Sequence, residues 1–205
     1  EEAGGRVDFL LGNHEIMVVQ GDLRYVNPKY EESASLLNTG ISQLYGIDTE
    51  IGQWLRTRNT ILKIDNLLFV HGGIHPELIN ADISWIELNP LIRDNIDKTR
   101  DDRSIDPFVE WVFGSRGPFW YRGYSREQKA YGLIDSVSVD KLLSHFKVDH
   151  IITGHTTVEE IQTLFNGKII QIDAGIKNGI RGEALLYQQN RFFRISESGR
   201  RIPLF

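Results

Sequence analysis

Val7-Asp8-Phe9-Leu10-Leu11-Gly12-Asn13-His14-Glu15 sets four apolar residues ahead of a glycine, followed by an amide, an imidazole and a carboxylate in succession. The apolar run predicts a buried strand over residues 6–11. Metal-capable side chains at the carboxyl end of a strand are where an α/β protein places its chemistry. Two further stretches repeat the design: Leu67-Leu68-Phe69-Val70-His71-Gly72-Gly73 and Ile151-Ile152-Thr153-Gly154-His155-Thr156. Each apolar run delivers a histidine next to a glycine. The expectation is a mixed α/β fold in which the three strand ends meet.

Bulk properties narrow the chemistry. A length of 205 residues predicts a single domain over residues 1–205. The net charge of −5 argues against nucleic acid as a partner, because phosphate backbones call for a basic surface. A small phosphate needs only a local positive site, so it stays open. With no cysteine, disulfides and thiolate metal sites are excluded, and any metal must be held by His, Asn, Asp or Glu. That composition suits a cytoplasmic or a periplasmic setting equally. No apolar run approaches the ~20 residues of a membrane-spanning helix, so no membrane partner is expected. The chain opens on Glu1-Glu2, almost directly ahead of the strand pattern, and reads as having a cut N-terminus.

Along the chain, Ile16, Val18 and Val19 start a helix that Gly21 interrupts. Tyr30 to Leu37 and Thr39 to Tyr45 give two more helical pieces. Asp48-Thr49-Glu50 offers an N-terminal cap for a helix carrying Ile51, Trp54 and Leu55. Thr60 to Ile64 and Leu67 to Val70 flank Asp65-Asn66, which predicts a hairpin closed by a tight I′-like turn. Helical stretches are expected near 85–97 and 106–113, with a solvated loop over the charged patch from Asp97 to Arg103. Gly114 to Gly123, dense in Gly, Pro and aromatics, predicts an irregular loop or edge strand. Ser138 to Phe146 reads as a helix and Val148 to Thr153 as a strand. The tail is β: 160–165, a turn at Asn166-Gly167, 168–173, 183–187, a turn near Gln189-Asn190, and 191–195.

Asn13, His71 and His155 together suit a borderline divalent ion such as Mn²⁺, Fe²⁺ or Zn²⁺. A lone histidine at a strand end is ordinarily a hydrogen-bonded structural residue; three sites with adjacent glycines favour a metal. None of the three is charged, so a cation there calls for a nearby carboxylate, or for a second metal with a bridging anion. His14, beside Asn13, is placed to protonate a leaving oxygen as a general acid; the bland alternative is a surface hydrogen bond at a helix start. Glu15 is expected to cap the first helical turn. Arg116 and Arg122 are candidates to clamp phosphate oxygens, since a guanidinium fork matches them, although at least one is expected to be an ordinary surface arginine. His75 stands close enough to His71 to support it, and His150 reads as structural. Trp54, Trp111 and Trp120 read as core.

At these residues the chain resembles the calcineurin-like metallophosphoesterases, and more closely their phosphoprotein phosphatase branch and its bacterial relatives. The matching motifs are Gly12-Asn13-His14-Glu15, His71-Gly72-Gly73 followed by Pro76, and Gly154-His155-Thr156, in the family's order. Gly117-Pro118-Phe119-Trp120-Tyr121-Arg122-Gly123 and Ile172-Asp173-Ala174-Gly175 are similar to further stretches of the bacterial members. The resemblance implies a β-sandwich flanked by helices and a metal-dependent phosphomonoester hydrolase. It implies that Asn13, His71 and His155 hold the second of two divalent ions (Mn, Fe, Zn or Mg). It makes His14 the general acid, and Arg122, less directly Arg116, the phosphate holder. The reaction it implies is in-line attack on phosphorus by a metal-activated hydroxide, on a phosphorylated protein or a small phosphoester.

One departure is large. The family's D-x-H and GD-x-x-DRG motifs, which supply the first metal's ligands and the bridging carboxylate, are not in this sequence. The resemblance therefore covers the family's C-terminal two-thirds and implies half of a two-metal site, with at most one ion held here and weak or no hydrolysis by this chain. Two other readings are a dinucleotide-polyphosphate or small-molecule phosphoesterase, and a non-catalytic phosphatase-like scaffold.

Overall fold

The computed structural model describes residues 2–81, 83–179 and 181–205. Its centre is the predicted hairpin. Strands β1 (Ile61–Ile64) and β2 (Leu67–Val70) pair antiparallel, with Ile64 opposite Leu67. Parallel pairing then adds β3 (His150–Thr153) beside β2 and β5 (Ile169–Gln171) beside β3. The antiparallel β4 (Gln162–Leu164) completes a five-stranded sheet of order β1-β2-β3-β5-β4. Strands β6 (Glu183–Gln188), β7 (Arg191–Ser196) and β8 (Arg201–Pro203) form a second, antiparallel sheet.

The central strands read as unbroken apolar runs because both of their faces are covered. Side chains alternate between faces along each strand. Leu68, Val70, Ile151 and Ile169 enter one core together with Leu88, Ile92, Leu142 and Phe146. These helical residues come from α5 (Trp85–Asn95) and α8 (Ser136–Phe146). Leu67, Ile152 and Ile170 point the other way, into a smaller core closed by Phe192, with Leu185 and Leu204 packed against it. The result is the expected layered arrangement of helices, sheet and second sheet. A fully buried leucine such as Leu68 contributes ~1.5–3 kcal/mol through burial.

Local signals fix the helix ends. The Asp135 side chain accepts from Ser138 N–H at 2.7 Å to start α8, and Lys147 ends it in the left-handed region at φ 52°. Ser84 and Glu87 form a capping box at the start of α5. Thr49 caps α4 (Glu50–Arg56) as its sequence predicts. The outer edge of β1 is covered by a side chain. Buried Asn89 accepts from the N–H groups of Thr60 (2.8 Å) and Ile61 (3.1 Å) and donates to the Ile61 carbonyl (2.8 Å), so these groups are satisfied without another strand.

Four expectations need correction. Residues 6–9 form no strand, and Val7 is 73% exposed; Leu10 makes a parallel bridge to Asn59 rather than joining a strand of the sheet. In the hairpin turn only Asp65 has a positive φ (50°), whereas a I′ turn requires it at both positions. The Asn66 carbonyl is engaged by Asp149 N–H at 2.8 Å, which ties that turn residue to the start of β3. The charged patch contains a one-turn helix, α6 (Arg100–Arg103), in which Arg103 is buried with its guanidinium 4.6 Å from the centre of the Phe113 ring. Trp54 is 42% exposed and meets the Phe9 ring at a tilt, centroids 5.0 Å apart, rather than entering the core.

Candidate functional site

The parallel register of β2 and β3 sets Val70 opposite Thr153, so the residues that follow emerge side by side. Gly154 N–H donates to the His71 carbonyl at 2.9 Å and locks the two strand ends together. Beyond them the chain turns tightly. His155 takes φ 58°, and Thr156 N–H reaches back to the Gly154 carbonyl at 2.5 Å, a γ-turn of the rare positive-φ kind. Strain of this type persists only where the surroundings fix it, and it clusters at functional sites.

Asn13 reaches the same place as the first residue of α1 (Asn13–Val19). Glu15 caps that helix by accepting Gly12 N–H at 2.8 Å, as its position predicts. Gly12 lies flat against the His71 ring. A Cβ at residue 12 would fall 2.7 Å from His71 Nδ1 and 2.9 Å from a Glu15 carboxylate oxygen. Only glycine permits this approach.

Asn13, His71 and His155 meet. His71 Nε2 lies 2.7 Å from Asn13 Oδ1 and 3.1 Å from His155 Nδ1. Burial pushes His71 down to about 4, assisted by the nearby His14 and Arg122 and opposed by Asp173. Burial and the Arg122 charge push His155 down to about 3, with the Trp120 backbone acting weakly in the other direction. Both rings are therefore neutral near pH 7, the form that binds metal. In that state three lone-pair atoms face one another with at most one proton among them for each ring nitrogen. Tetrahedral ligands bonded to one Zn²⁺-like ion at 2.0–2.1 Å stand about 3.3–3.4 Å apart, so these side chains, 2.7 and 3.1 Å from one another, need to part by only a few tenths of an ångström to admit one. The cluster can hold a divalent cation with an amide oxygen and two imidazoles. Among the described residues no group of three His, Cys, Asp or Glu side chains converges as a metal site.

The other predicted residues divide. His14 is exposed at the start of α1, with its ring 5.6 Å from Tyr25, and is near enough to act electrostatically on both histidines. Arg122 stands at the cluster, where its Nη1 donates to the His155 carbonyl at 2.7 Å. Arg116 points to other partners: it donates to the Glu77 carboxylate at 2.9 Å and to the Ala130 carbonyl. His75 sits among Tyr121, Trp111 and Tyr131, and its Nδ1 accepts Glu77 N–H at 3.2 Å.

Two neighbours were not assigned site roles from the sequence. Trp120 meets the His155 ring edge-on at 5.7 Å. Asp173 is the nearby carboxylate, raising both His71 and Arg122 while it accepts from Thr157 Oγ1 at 2.9 Å. Its signal was available: it follows a third parallel strand, β5, and precedes a glycine by two residues.

Comparison with known proteins gives the chain its family. The Calcineurin-like phosphoesterase family profile matches residues 5–159. The solved cold-active protein-tyrosine phosphatase of a psychrophilic Shewanella superposes with a TM-score of 0.92 at 43% identity, covering 100% of this chain and 60% of its own. An uncharacterised protein of Schizosaccharomyces pombe is 31% identical over 89% of this chain and 55% of its own length. Shewanella-like protein phosphatase 1 of Plasmodium berghei is 25% identical over 83% of this chain and 48% of its own. The chain thus spans about half the length of these curated relatives. With a profile match through all three strand-end motifs, the chain belongs to the calcineurin-like phosphoesterase family.

Proposed function

We propose that this chain is the metal-binding and phosphate-binding part of a phosphomonoester hydrolase acting on phosphorylated protein side chains. The observation that carries the reading is the meeting of Asn13 Oδ1, His71 Nε2 and His155 Nδ1 within hydrogen-bonding distance at the ends of two parallel strands. These three residues hold one divalent cation. When bound, that ion supplies Lewis acidity toward a phosphoryl oxygen. Arg122 contributes positive charge to the phosphate and keeps its guanidinium half-buried against the His155 backbone. His14, exposed beside Asn13, gives a proton to the leaving oxygen, and exposure leaves it free to be reprotonated from water. The protein substrate is supported by relatives that are named protein phosphatases, one of them a protein-tyrosine phosphatase. The chain on this reading binds no more than one ion and turns over slowly, since none of the three ligating side chains is a carboxylate and the nearby Asp173 accepts from Thr157 Oγ1.

Titration of the chain with Mn²⁺ by calorimetry tests this. The expected stoichiometry is one or less, and Asn13→Ala should weaken binding by at least the ~10–100-fold typical of damage to a metal site. Two bound ions together with robust p-nitrophenyl phosphate turnover would contradict the one-ion assignment. Unchanged Mn²⁺ affinity in Asn13→Ala would remove Asn13 from the site.

A further inference from the structure

Beside the cluster, the segment after α7 (Pro107–Phe113) closes a pocket of about 210 Å³ that shares only Arg122 with the phosphate chemistry above. Its walls are aromatic, from Phe113, Trp120 and Tyr131, with exposed Gln128 at the rim and Arg122 as its cation. Two of these residues also touch His155: Trp120 through its ring, and Arg122 through its bond to the carbonyl. The pocket is therefore continuous with the cluster.

Its walls are held in place. The Tyr131 hydroxyl accepts Arg122 N–H at 3.0 Å, and its ring rests against Tyr121 at 4.8 Å. Gln128 and Tyr131 exchange two backbone hydrogen bonds, each 3.0 Å. Phe113 lies between Phe119 and the Arg103 guanidinium. A pocket with fixed walls loses little order when filled, so the apolar area it buries is retained as affinity. Its volume is below the ~300–1,000 Å³ of pockets for drug-sized ligands and matches a single large side chain. Aromatic walls favour a ring placed edge-on or offset against them. The one cation among the lining residues is Arg122, already assigned to the phosphate at the cluster, which disfavours a second phosphate as the occupant. The leaving group belongs elsewhere, because the proton donor assigned to it, His14, sits on α1 against Tyr25.

We propose that this pocket is a specificity subsite that takes an aromatic side chain flanking the phosphorylated residue of a peptide substrate. The proposal rests on the phosphomonoesterase reading, and its test separates the two. Fluorescein-labelled peptides are titrated with the Mn²⁺-loaded chain and followed by anisotropy. The phosphorylated residue is flanked by Phe or by Ala, and each peptide is paired with its unphosphorylated form. The Phe-flanked phosphopeptide should bind ~tenfold more tightly than the Ala-flanked one, equivalent to ~1.4 kcal/mol. Gln128→Trp, which fills the pocket from its exposed rim, should bring that ratio to about one. Ser115→Phe fills it from a second exposed position and repeats the test if the first variant misfolds by circular dichroism. Equal affinities in the unaltered chain overturn the subsite, as does a Phe preference that survives both substitutions. A preference for phosphotyrosine over phosphoserine that disappears in the filled variants also overturns it, by assigning the pocket to the leaving group. If phosphorylation has no effect on any peptide, the phosphate reading fails. A Phe preference abolished by Gln128→Trp would then uphold the pocket alone, and its absence would overturn both.

Discussion

His71 and His155 leave neighbouring parallel strands in register, whereas Asn13 arrives on a run whose pairing to the sheet is the Leu10–Asn59 bridge and a Leu11 N–H bond to the Asn59 carbonyl. The histidine side is placed by a ladder buried on both faces. The Asn13 side is placed by the burial of Leu11 and by the contact of Gly12 with His71. A site assembled from such unequal halves owes its geometry to the sheet and its completeness to one anchored turn.

The largest expected effect breaks the sheet side. Leu68→Ala should cost ~2–5 kcal/mol in urea unfolding through lost burial and a residual cavity, while Val7→Ala at the exposed end should stay within ~0.5 kcal/mol. Equal losses would remove the contrast. Next is the junction. Gly12→Ala drives a methyl into the His71 ring and the Glu15 carboxylate, and should destabilise by ~1–3 kcal/mol. It should also weaken Mn²⁺ binding, because the ring it displaces is a proposed ligand; intact affinity by calorimetry would mean that the turn does not set His71.

A third contrast is the pH response of the metal-free chain. His71 and His155 are depressed to about 4 and about 3, against an unfolded value near 6.5. As pH falls below 6.5 the unfolded chain takes up protons that the folded chain refuses, so stability drops through the window from 6.5 to about 3 and their contribution is flat above it. Thermal melts at pH 7.5, 5.5 and 4.5 should therefore fall more steeply for the unaltered chain than for His155→Gln. Identical slopes would show that burial does not hold these rings neutral.

Much of the sheet side was legible because its signals are local. An apolar run, a histidine and a glycine identify a buried strand end, and the tight hairpin linking β1 to β2 is written in two residues. Residues 6–11 carry a similar apolar signature, yet a strand also needs a ladder of backbone pairing, and ladders are set by distant sequence. Arg103 could not be told from its charged neighbours, since its burial depends on Phe113, a later helix residue meeting it in space. Arg116 and Arg122 share one loop and one chemistry. The path of that loop, with Glu77 and Ala130 beside the first and His155 beside the second, decides which faces the cluster. Asp173 was visible within its motif but lacked a role until β5 was placed beside β3.

On the roles proposed above, the Arg122 bond to the His155 carbonyl makes one residue answerable for two functions. Its guanidinium grips the backbone of the turn that presents the Nδ1 atom, so whatever pulls on that guanidinium also strains the left-handed γ-turn behind it. Affinity for phosphate and affinity for metal are then linked quantities, and by reciprocity each should shift the other by the same factor. A substitution at Arg122 will register as a metal-binding defect even when no phosphate is present.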